Sequence, residues 1–323
     1  MDAARAVEVN PLHWQTARRK RRWISEVTRW LRLVTGREDH EGPVPAAFPN
    51  GHFYSPVPNS ADLARRAEAL WAPRSRLPGI EFDDAGHTAL IAAALPLAAE
   101  FDYPATTPGG ELASRTFFRD NSQFSGLDAL SLFALLRHWR PTRVIEVGSG
   151  FSTLLMADVK RRFLGGNCHL TCIEPYPRPF LAHGLAGVDD LIVLPVQDVP
   201  LERFNLLGDG DVLFIDSSHV AKTGSDVVHL LLEVLPTLAP GVRVHLHDVF
   251  LPDDYPRSWA VDENRGWNEQ YLLRALLTHS TAFRVRFAAH YASRRHADAI
   301  RAALGLAQDA APPSGGSFWI ERC

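Results

Sequence analysis

The chain has 323 residues, longer than most single domains, so we expect one large domain or a domain with an appendage. Hydrophobic residues make up 46% and charged residues 22%, which is typical of a globular chain and excludes an intrinsically disordered one. The formal net charge of −3 does not favour nucleic-acid binding, and three cysteines cannot form a disulfide framework.

The first forty residues predict a basic amphipathic helix. Apolar residues recur at helical spacing over residues 23–34, and residues 18–22 form a run of five basic side chains. One interpretation is that such a helix binds an anionic membrane surface or nucleic acid. The other is that its basic face is simply solvated, while its apolar face packs on its own domain or on a second subunit. No apolar run resembles a secretory signal or spans a bilayer, so we expect a cytoplasmic protein without a transmembrane segment.

Helical patterns continue over residues 61–71 and 85–101, and the segments around them are rich in Gly and Pro. Because these helices come before any predicted strand, we interpret residues 1–110 as a helical and loop appendage. The second predicted domain covers residues 111–323.

From about residue 125, helices alternate with short apolar strands. Helices are predicted over residues 127–139, 225–235 and 297–306, and a further helix follows the glycine-rich turn and ends at about residue 163. The predicted strands are residues 143–147, 169–173, 191–196, 211–215, 242–247, 283–291 and 317–321. This alternation predicts an α/β fold, doubly wound, with a mostly parallel sheet.

A glycine-rich turn follows the first strand. Gly148 and Gly150 let the backbone turn sharply and approach a ligand beside the positive end of the next helix. A dinucleotide-binding fingerprint would place Gly or Ala at Ser152 or Thr153, and its ligand would be a pyrophosphate. Glu146 points to a different ligand, because a carboxylate beside the turn repels phosphates but can pair with an ammonium group, directly or through water.

Acidic residues also follow the ends of several predicted strands. Glu174 comes 24 residues after Gly150, at a position where a carboxylate accepts hydrogen bonds from a ribose diol. Asp198 is placed to contact an adenine amino group. One such acid could equally be a helix cap or a solvated side chain, but Glu146, Glu174, Asp198 and Asp216 together indicate a ligand site at the carboxyl edge of the sheet.

These motifs resemble those of the class I S-adenosylmethionine-dependent methyltransferases, in particular the branch with the shortened motif Glu-Val-Gly-Ser-Gly-x-Ser. The resemblance covers roughly residues 121–323, and its motifs are residues 144–153, 172–175, 214–219 and 247–256. Residues 317–321 resemble the antiparallel last strand of that fold, inserted between the fifth and sixth strands. The resemblance therefore implies a seven-stranded sheet. Ser152 departs from the third glycine that is usual in the wider superfamily.

The resemblance implies S-adenosylmethionine as the cofactor and assigns site residues by position. Glu174 would bind the ribose hydroxyls and Asp198 the adenine edge, with Glu146 and Asp216 as further cofactor contacts. The residues assigned to the methionine moiety and its carboxylate are Gly148, Ser149, Gly150, Ser152 and Thr153. Three residues before or within the preceding helix would either cover the cofactor or form an ordinary cap and core: Asn121, Phe124 and Asp128.

Methyl transfer to an oxygen requires removal of its proton, by a general base or by a metal that lowers its pKa. His219 is the leading candidate base, because an imidazole with an ordinary pKa of about 6.5 accepts a proton at neutral pH; it could also cap the following helix. Asp216 and Asp248 end neighbouring strands and would arrange either the base or a divalent metal such as Mg²⁺. His247 is a second candidate base or a metal ligand.

We therefore predict a methyltransferase that acts on an oxygen of a small-molecule acceptor; sugars, glycolipids and secondary metabolites are the classes suggested by resemblance. Residues 251–267 form a polar and aromatic segment that predicts an acceptor lid. Two alternatives are an NAD-dependent oxidoreductase on the same fold and a non-catalytic cofactor-binding scaffold. We expect no nucleic-acid partner, while peripheral membrane contact through the basic helix and a homo-oligomer stay open.

Overall fold

A computed structural model describes residues 46–107 and 114–323. The predicted basic helix lies outside these residues. One compact unit spans Asn50–Cys323. The helices between residues 50 and 107 lie in this same unit. The division at residue 110 into an appendage and a second domain stays a prediction.

The strands and helices of this unit follow the predicted alternation. The strands are β1 (Arg143–Val147), β2 (His169–Ile173), β3 (Asp190–Ile192), β4 (Val212–Ile215), β5 (Arg243–Leu246), β6 (Phe283–Ala288) and β7 (Phe318–Arg322). The helices are α1 (Ser60–Arg65), α2 (Ala67–Leu70), α3 (Asp84–Ala94), α4 (Gly126–Trp139), α5 (Phe151–Phe163), α6 (Pro179–Ala182), α7 (Asp226–His229), α8 (Glu269–Leu277), α9 (Ala289–Arg295) and α10 (Ala297–Ala303). Among the described residues, none of the helices has the length and apolarity needed to cross a bilayer.

The seven strands form one sheet in the order β3-β2-β1-β4-β5-β7-β6. Strands β1 to β5 pair in parallel, and β7 runs antiparallel to both β5 and β6. The predicted α/β fold is confirmed, including an antiparallel last strand between the fifth and sixth. Since β1, β2, β4 and β5 are parallel, their carboxyl ends meet at one edge of the sheet, where the candidate site lies.

Both faces of the sheet are buried under helices. Along β1, Val144 packs into the core on one face, whereas Ile145 and Val147 pack into the core on the other. Leu77 of the amino-terminal part belongs to the second core, and Ile91 of α3 belongs to the first. The amino-terminal part therefore contributes to both cores, which is why it forms one unit with the sheet.

Two strands end earlier than predicted. The third strand ends at Ile192, because Val193 and Leu194 are exposed and Pro195, which lacks an amide proton, leads into a short helical turn. The sixth strand ends at Ala288, and the chain then continues as α9. The Nε2 atom of His87 accepts the amide proton of Ala288 at 3.0 Å. An alternating apolar pattern gives no sign of this change from strand to helix.

Candidate active site

The glycine turn lies directly against the end of β4. Gly148 has φ +80°, and its amide donates to the carbonyl of Ile173 at 3.0 Å. A Cβ atom at Gly148 would collide with the main-chain carbonyl of Asp216. Only glycine satisfies both the left-handed conformation and this close approach. The turn therefore joins the ends of β1, β2 and β4.

Replacing Gly148 by alanine is expected to lower the free energy of unfolding by about 2–4 kcal/mol, since the new side chain adds left-handed strain to a backbone clash. Chemical denaturation measures this loss. Gly208→Ala is the matched control, because a Cβ there meets only Asp211 Oδ2 at 3.9 Å. Equal stability of Gly148→Ala and Gly208→Ala would show that the turn tolerates a side chain.

Glu174 is held against the turn from the end of β2. Its Oε2 atom accepts the amide proton of Ser149 at 3.0 Å, and its Oε1 atom accepts that of Tyr176 at 2.8 Å. A carboxylate oxygen can accept more than one hydrogen bond, so both oxygens keep acceptor capacity. The structure therefore places Glu174 beside the glycine turn as an oriented acceptor.

Glu146 lies underneath the turn, with Ser152 and Thr153. Their hydroxyl groups donate to its two carboxylate oxygens, each at 2.6 Å, and Thr153 also accepts the amide proton of Gly150 at 2.9 Å. Burial raises the pKa of Glu146 to about 7, although these hydroxyl donors oppose that rise. The three side chains are fully buried and brace the turn. Their assignment as cofactor contacts stays a prediction.

A cavity of about 570 Å³ opens in front of the turn, a volume typical of ligand sites. Its lining brings together several predicted residues from four strand ends: Gly148, Ser149, Gly150, Glu174, Asp216, His219, His247 and Asp248. Asp198 is exposed after a short turn and does not line this cavity. Its predicted contact with adenine stays a prediction.

The cavity floor contains two histidines on either side of Asp216. The Oδ1 atom of Asp216 lies 3.4 Å from His219 Nε2 and 3.4 Å from His247 Nδ1. The Oδ2 atom of Asp248 lies 3.7 Å from His219 Nε2 and 3.8 Å from His247 Nδ1. His219 and Asp248 both have left-handed backbones, with φ of +60° and +57°. Such strain is often found at functional sites.

Two further carboxylates extend this cluster. Glu269, at the start of α8, accepts from His219 Nδ1 at 3.0 Å, and the main-chain carbonyl of His219 accepts the amide protons of Asn268 and Glu269. Asp128 lies 3.4 Å from His247 Nε2 and accepts the amide protons of Gly316 and Ser317. Glu269 is not among the residues predicted from the sequence, because an acidic residue in the first turn of a helix is common and Glu269 lies 50 residues from His219.

The cluster changes the proton affinities of its members. Burial acts to lower the pKa of His219, but hydrogen bonds to Asp216 and Glu269 raise it to about 10. Burial acts to raise the pKa of Asp216, but the charge of His247 and the hydrogen bond from His219 hold it well below its usual range. The pKa of Asp248 is raised, mainly by burial. At neutral pH His219 is therefore protonated, whereas Asp248 is a stronger proton acceptor than Asp216.

The donor set does not fit Mg²⁺ well. Two imidazole nitrogens and two carboxylate oxygens face one another, whereas Mg²⁺ favours a shell of oxygen atoms. Within residues 46–107 and 114–323, no group of three or more His, Cys, Asp or Glu side chains has an arrangement that could hold a metal ion. A divalent metal at Asp216, His247 and Asp248 stays a prediction.

Aromatic side chains from the predicted lid cover the cluster. The Trp267 ring lies 4.3 Å from the His219 ring and 5.2 Å from the Trp259 ring. The guanidinium of Arg265 lies 3.9 Å from the ring of Trp259 and 4.6 Å from that of Trp267. These three side chains line the cavity, so residues from the predicted lid do reach the site.

Comparison with known proteins gives a family. Residues 145–249 match the model of a methyltransferase domain. A protein of Archaeoglobus fulgidus described as uncharacterized is 39% identical over 167 residues, which cover 50% of this chain and 73% of that protein.

Solved structures with a similar fold include O-methyltransferases. One is the O-methyltransferase TomG from Streptomyces achromogenes, which is involved in tomaymycin synthesis and whose structure contains S-adenosylmethionine. It is 16% identical to this chain, and the match covers 82% of this chain and 96% of that chain with a TM-score of 0.36. An O-methyltransferase from Bacillus cereus, determined with S-adenosylhomocysteine, is 13% identical, with 80% and 96% covered and a TM-score of 0.33. These values are too low to transfer a substrate from either protein.

The strand order and the matched domain define a class I S-adenosylmethionine-dependent methyltransferase. The chain belongs to this family and is an enzyme of that type. None of these comparisons supports the alternatives of an NAD-dependent oxidoreductase or a non-catalytic scaffold.

Proposed function

We propose that this enzyme methylates an oxygen atom of a small-molecule acceptor. The observation that carries the proposal is the position of Asp248, a carboxylate with a raised pKa that lines the same cavity as Glu174 and the glycine turn. An oxygen acceptor needs a group that removes its proton, and Asp248 is placed to do so.

The residues at the turn fit the cofactor. The Glu174 carboxylate is fixed by two amide donors and keeps acceptor capacity for a ribose diol, while Gly148–Gly150 leave room for close approach of a ligand to the backbone. These residues would hold S-adenosylmethionine, which supplies a methyl group on a positively charged sulfur. The chain's own contribution is alignment of the reactants and acceptance of a proton.

We assign the base to Asp248 in preference to His219. A protonated imidazole cannot accept the acceptor's proton, and the Asp216 carboxylate is held in its weakly basic form by two neighbouring imidazoles. When S-adenosylmethionine supplies its methyl group to the acceptor oxygen, Asp248 would accept the proton that this hydroxyl loses. His219 then acts as a cationic donor whose orientation depends on Glu269.

Sugars, glycolipids and secondary metabolites are the acceptor classes that we propose to test. The aromatic wall of Trp259 and Trp267 supports this choice, since such rings stack on sugars and aromatic substrates. The compact unit Asn50–Cys323 would then carry both the cofactor site and the acceptor site.

Methyl transfer from labelled S-adenosylmethionine to a panel of hydroxylated small molecules tests the proposed function. We expect label in an alkali-stable ether on at least one acceptor, and mass spectrometry locates the methyl group. Parallel panels of amines and carbon nucleophiles provide the comparison. Label only on nitrogen or carbon would overturn the assignment of an oxygen acceptor.

A further inference from the structure

A second cavity of about 290 Å³ lies beside the first, between residues 56–71 and residues 254–271. Most of its lining is apolar or aromatic and comes from both segments, including Pro58, Leu63, Leu70, Trp71 and Tyr255. Trp259, Arg265 and Trp267 line both cavities. The two cavities are therefore neighbours with a common wall.

The second cavity is part of the folded structure. The Nε1 atom of Trp71 donates to the main-chain carbonyl of Tyr255 at 2.7 Å, and the amide of Arg74 donates to Asp253 Oδ1 at 2.8 Å. These bonds connect residues that are about 180 positions apart in the sequence. They hold the amino-terminal helices against the lid, so the walls of the cavity are fixed to each other.

The common wall separates polar from apolar surroundings. On its polar side, the Trp267 ring lies against His219, in the cluster that also contains Asp248. On its other side, most of the lining consists of proline, leucine and aromatic side chains, with Asp254 and Asn268 as polar members. A ligand that occupied both cavities would thus have a polar end at the cluster and an apolar end in the second cavity.

We propose that the second cavity binds an apolar group of the acceptor, so that the acceptor is an amphipathic alcohol with its hydroxyl group near Asp248. This inference rests on the proposed function. An acceptor that is polar throughout would leave the apolar cavity filled with water, whereas an aliphatic tail would remove its lining from water. The second cavity shares Trp259, Arg265 and Trp267 with the reaction cavity, and this adjacency is what identifies its occupant as part of the acceptor.

Calorimetry with straight-chain primary alcohols tests this proposal without any methyl transfer. We expect the full chain, saturated with S-adenosylhomocysteine, to bind 1-butanol, 1-hexanol and 1-octanol with affinity rising roughly three- to fourfold per methylene group. Affinity that does not rise with chain length would overturn the proposal. The same series assayed for methyl transfer reports separately on the proposed function.

Substitutions in the second cavity assign the binding to this place. Leu63→Trp, which fills the cavity, and Leu70→Ser, which makes its lining polar, are each expected to weaken 1-octanol binding at least tenfold while leaving S-adenosylhomocysteine binding unchanged. Leu232→Trp is the matched control, because Leu232 is exposed and lies outside this cavity. Undiminished 1-octanol binding by both cavity variants would overturn the proposal, even if the alcohols prove to be methyl acceptors.

Discussion

Replacing Glu174 by alanine is expected to weaken binding of S-adenosylhomocysteine by about 100-fold or more. In the proposed cofactor site this carboxylate would accept hydrogen bonds from two ribose hydroxyls, and each bond to a charged group contributes about 1.5–3 kcal/mol. The substitution also releases the amide of Ser149, which Glu174 holds at 3.0 Å, so the glycine turn loses one of its anchors. Isothermal calorimetry measures the change in affinity.

Glu202→Ala is the control for Glu174→Ala, because Glu202 is an exposed glutamate outside the cavity and its loss changes the net charge equally. The Glu174→Gln variant adds a further test. Its side-chain amide keeps one acceptor oxygen, but its NH₂ group faces one of the two backbone amides that donate to Glu174, those of Ser149 and Tyr176. We therefore expect an affinity for S-adenosylhomocysteine between those of the parent protein and Glu174→Ala. Unchanged affinity in Glu174→Ala would contradict the proposed ribose contact.

Replacing Asp248 by asparagine is expected to slow methyl transfer by about 10²–10⁴-fold, the usual contribution of a general base. Binding of S-adenosylhomocysteine should be retained. The parent enzyme should lose activity as the pH falls through the raised pKa of Asp248, because the protonated carboxyl cannot accept the hydroxyl proton. This acidic limb should lie above the usual range for an aspartate and should disappear in Asp248→Asn.

Asp298→Asn is the matched control for this experiment, since Asp298 has a 91% exposed side chain. His219→Gln provides the comparison between the two candidate bases. If Asp248 is the base, His219→Gln should keep an acidic limb, although at a shifted pH because a neighbouring cation is lost. A full rate in Asp248→Asn, together with loss of the acidic limb in His219→Gln, would return the base assignment to His219.

The cluster around Asp216 shows why the charges at this site depend on one another. Asp128 and Glu269 are buried and Asp216 is partly buried, and all three face two imidazoles. Each imidazolium offsets the cost of burying the carboxylates beside it. Removal of any one member leaves a buried charge with fewer partners. Activity and stability should therefore both be measured for every variant in this cluster.

Several features of the protein follow from the sequence alone. Strands β1 and β2 have the predicted ends, since each is a short apolar run buried on both faces and bounded by turn signals. The convergence of Gly148, Glu174 and Asp216 also follows from sequence, because parallel strands bring their carboxyl ends to one edge of a sheet. Periodicity and turn chemistry are local, and local signals suffice for these features.

Other features depend on contacts between distant segments. The start of α8 docks on the His219 backbone and brings Glu269 to its ring. Hydrogen bonds to Asp216 and Glu269 together raise the pKa of His219, which was expected to be a neutral base. The second cavity forms between two distant segments, which the bond from Trp71 to the carbonyl of Tyr255 helps to hold together. Sequence patterns indicate which face of a helix or strand is buried. Proton affinities and cavities depend instead on which groups from distant segments come into contact, and tertiary packing alone decides these contacts.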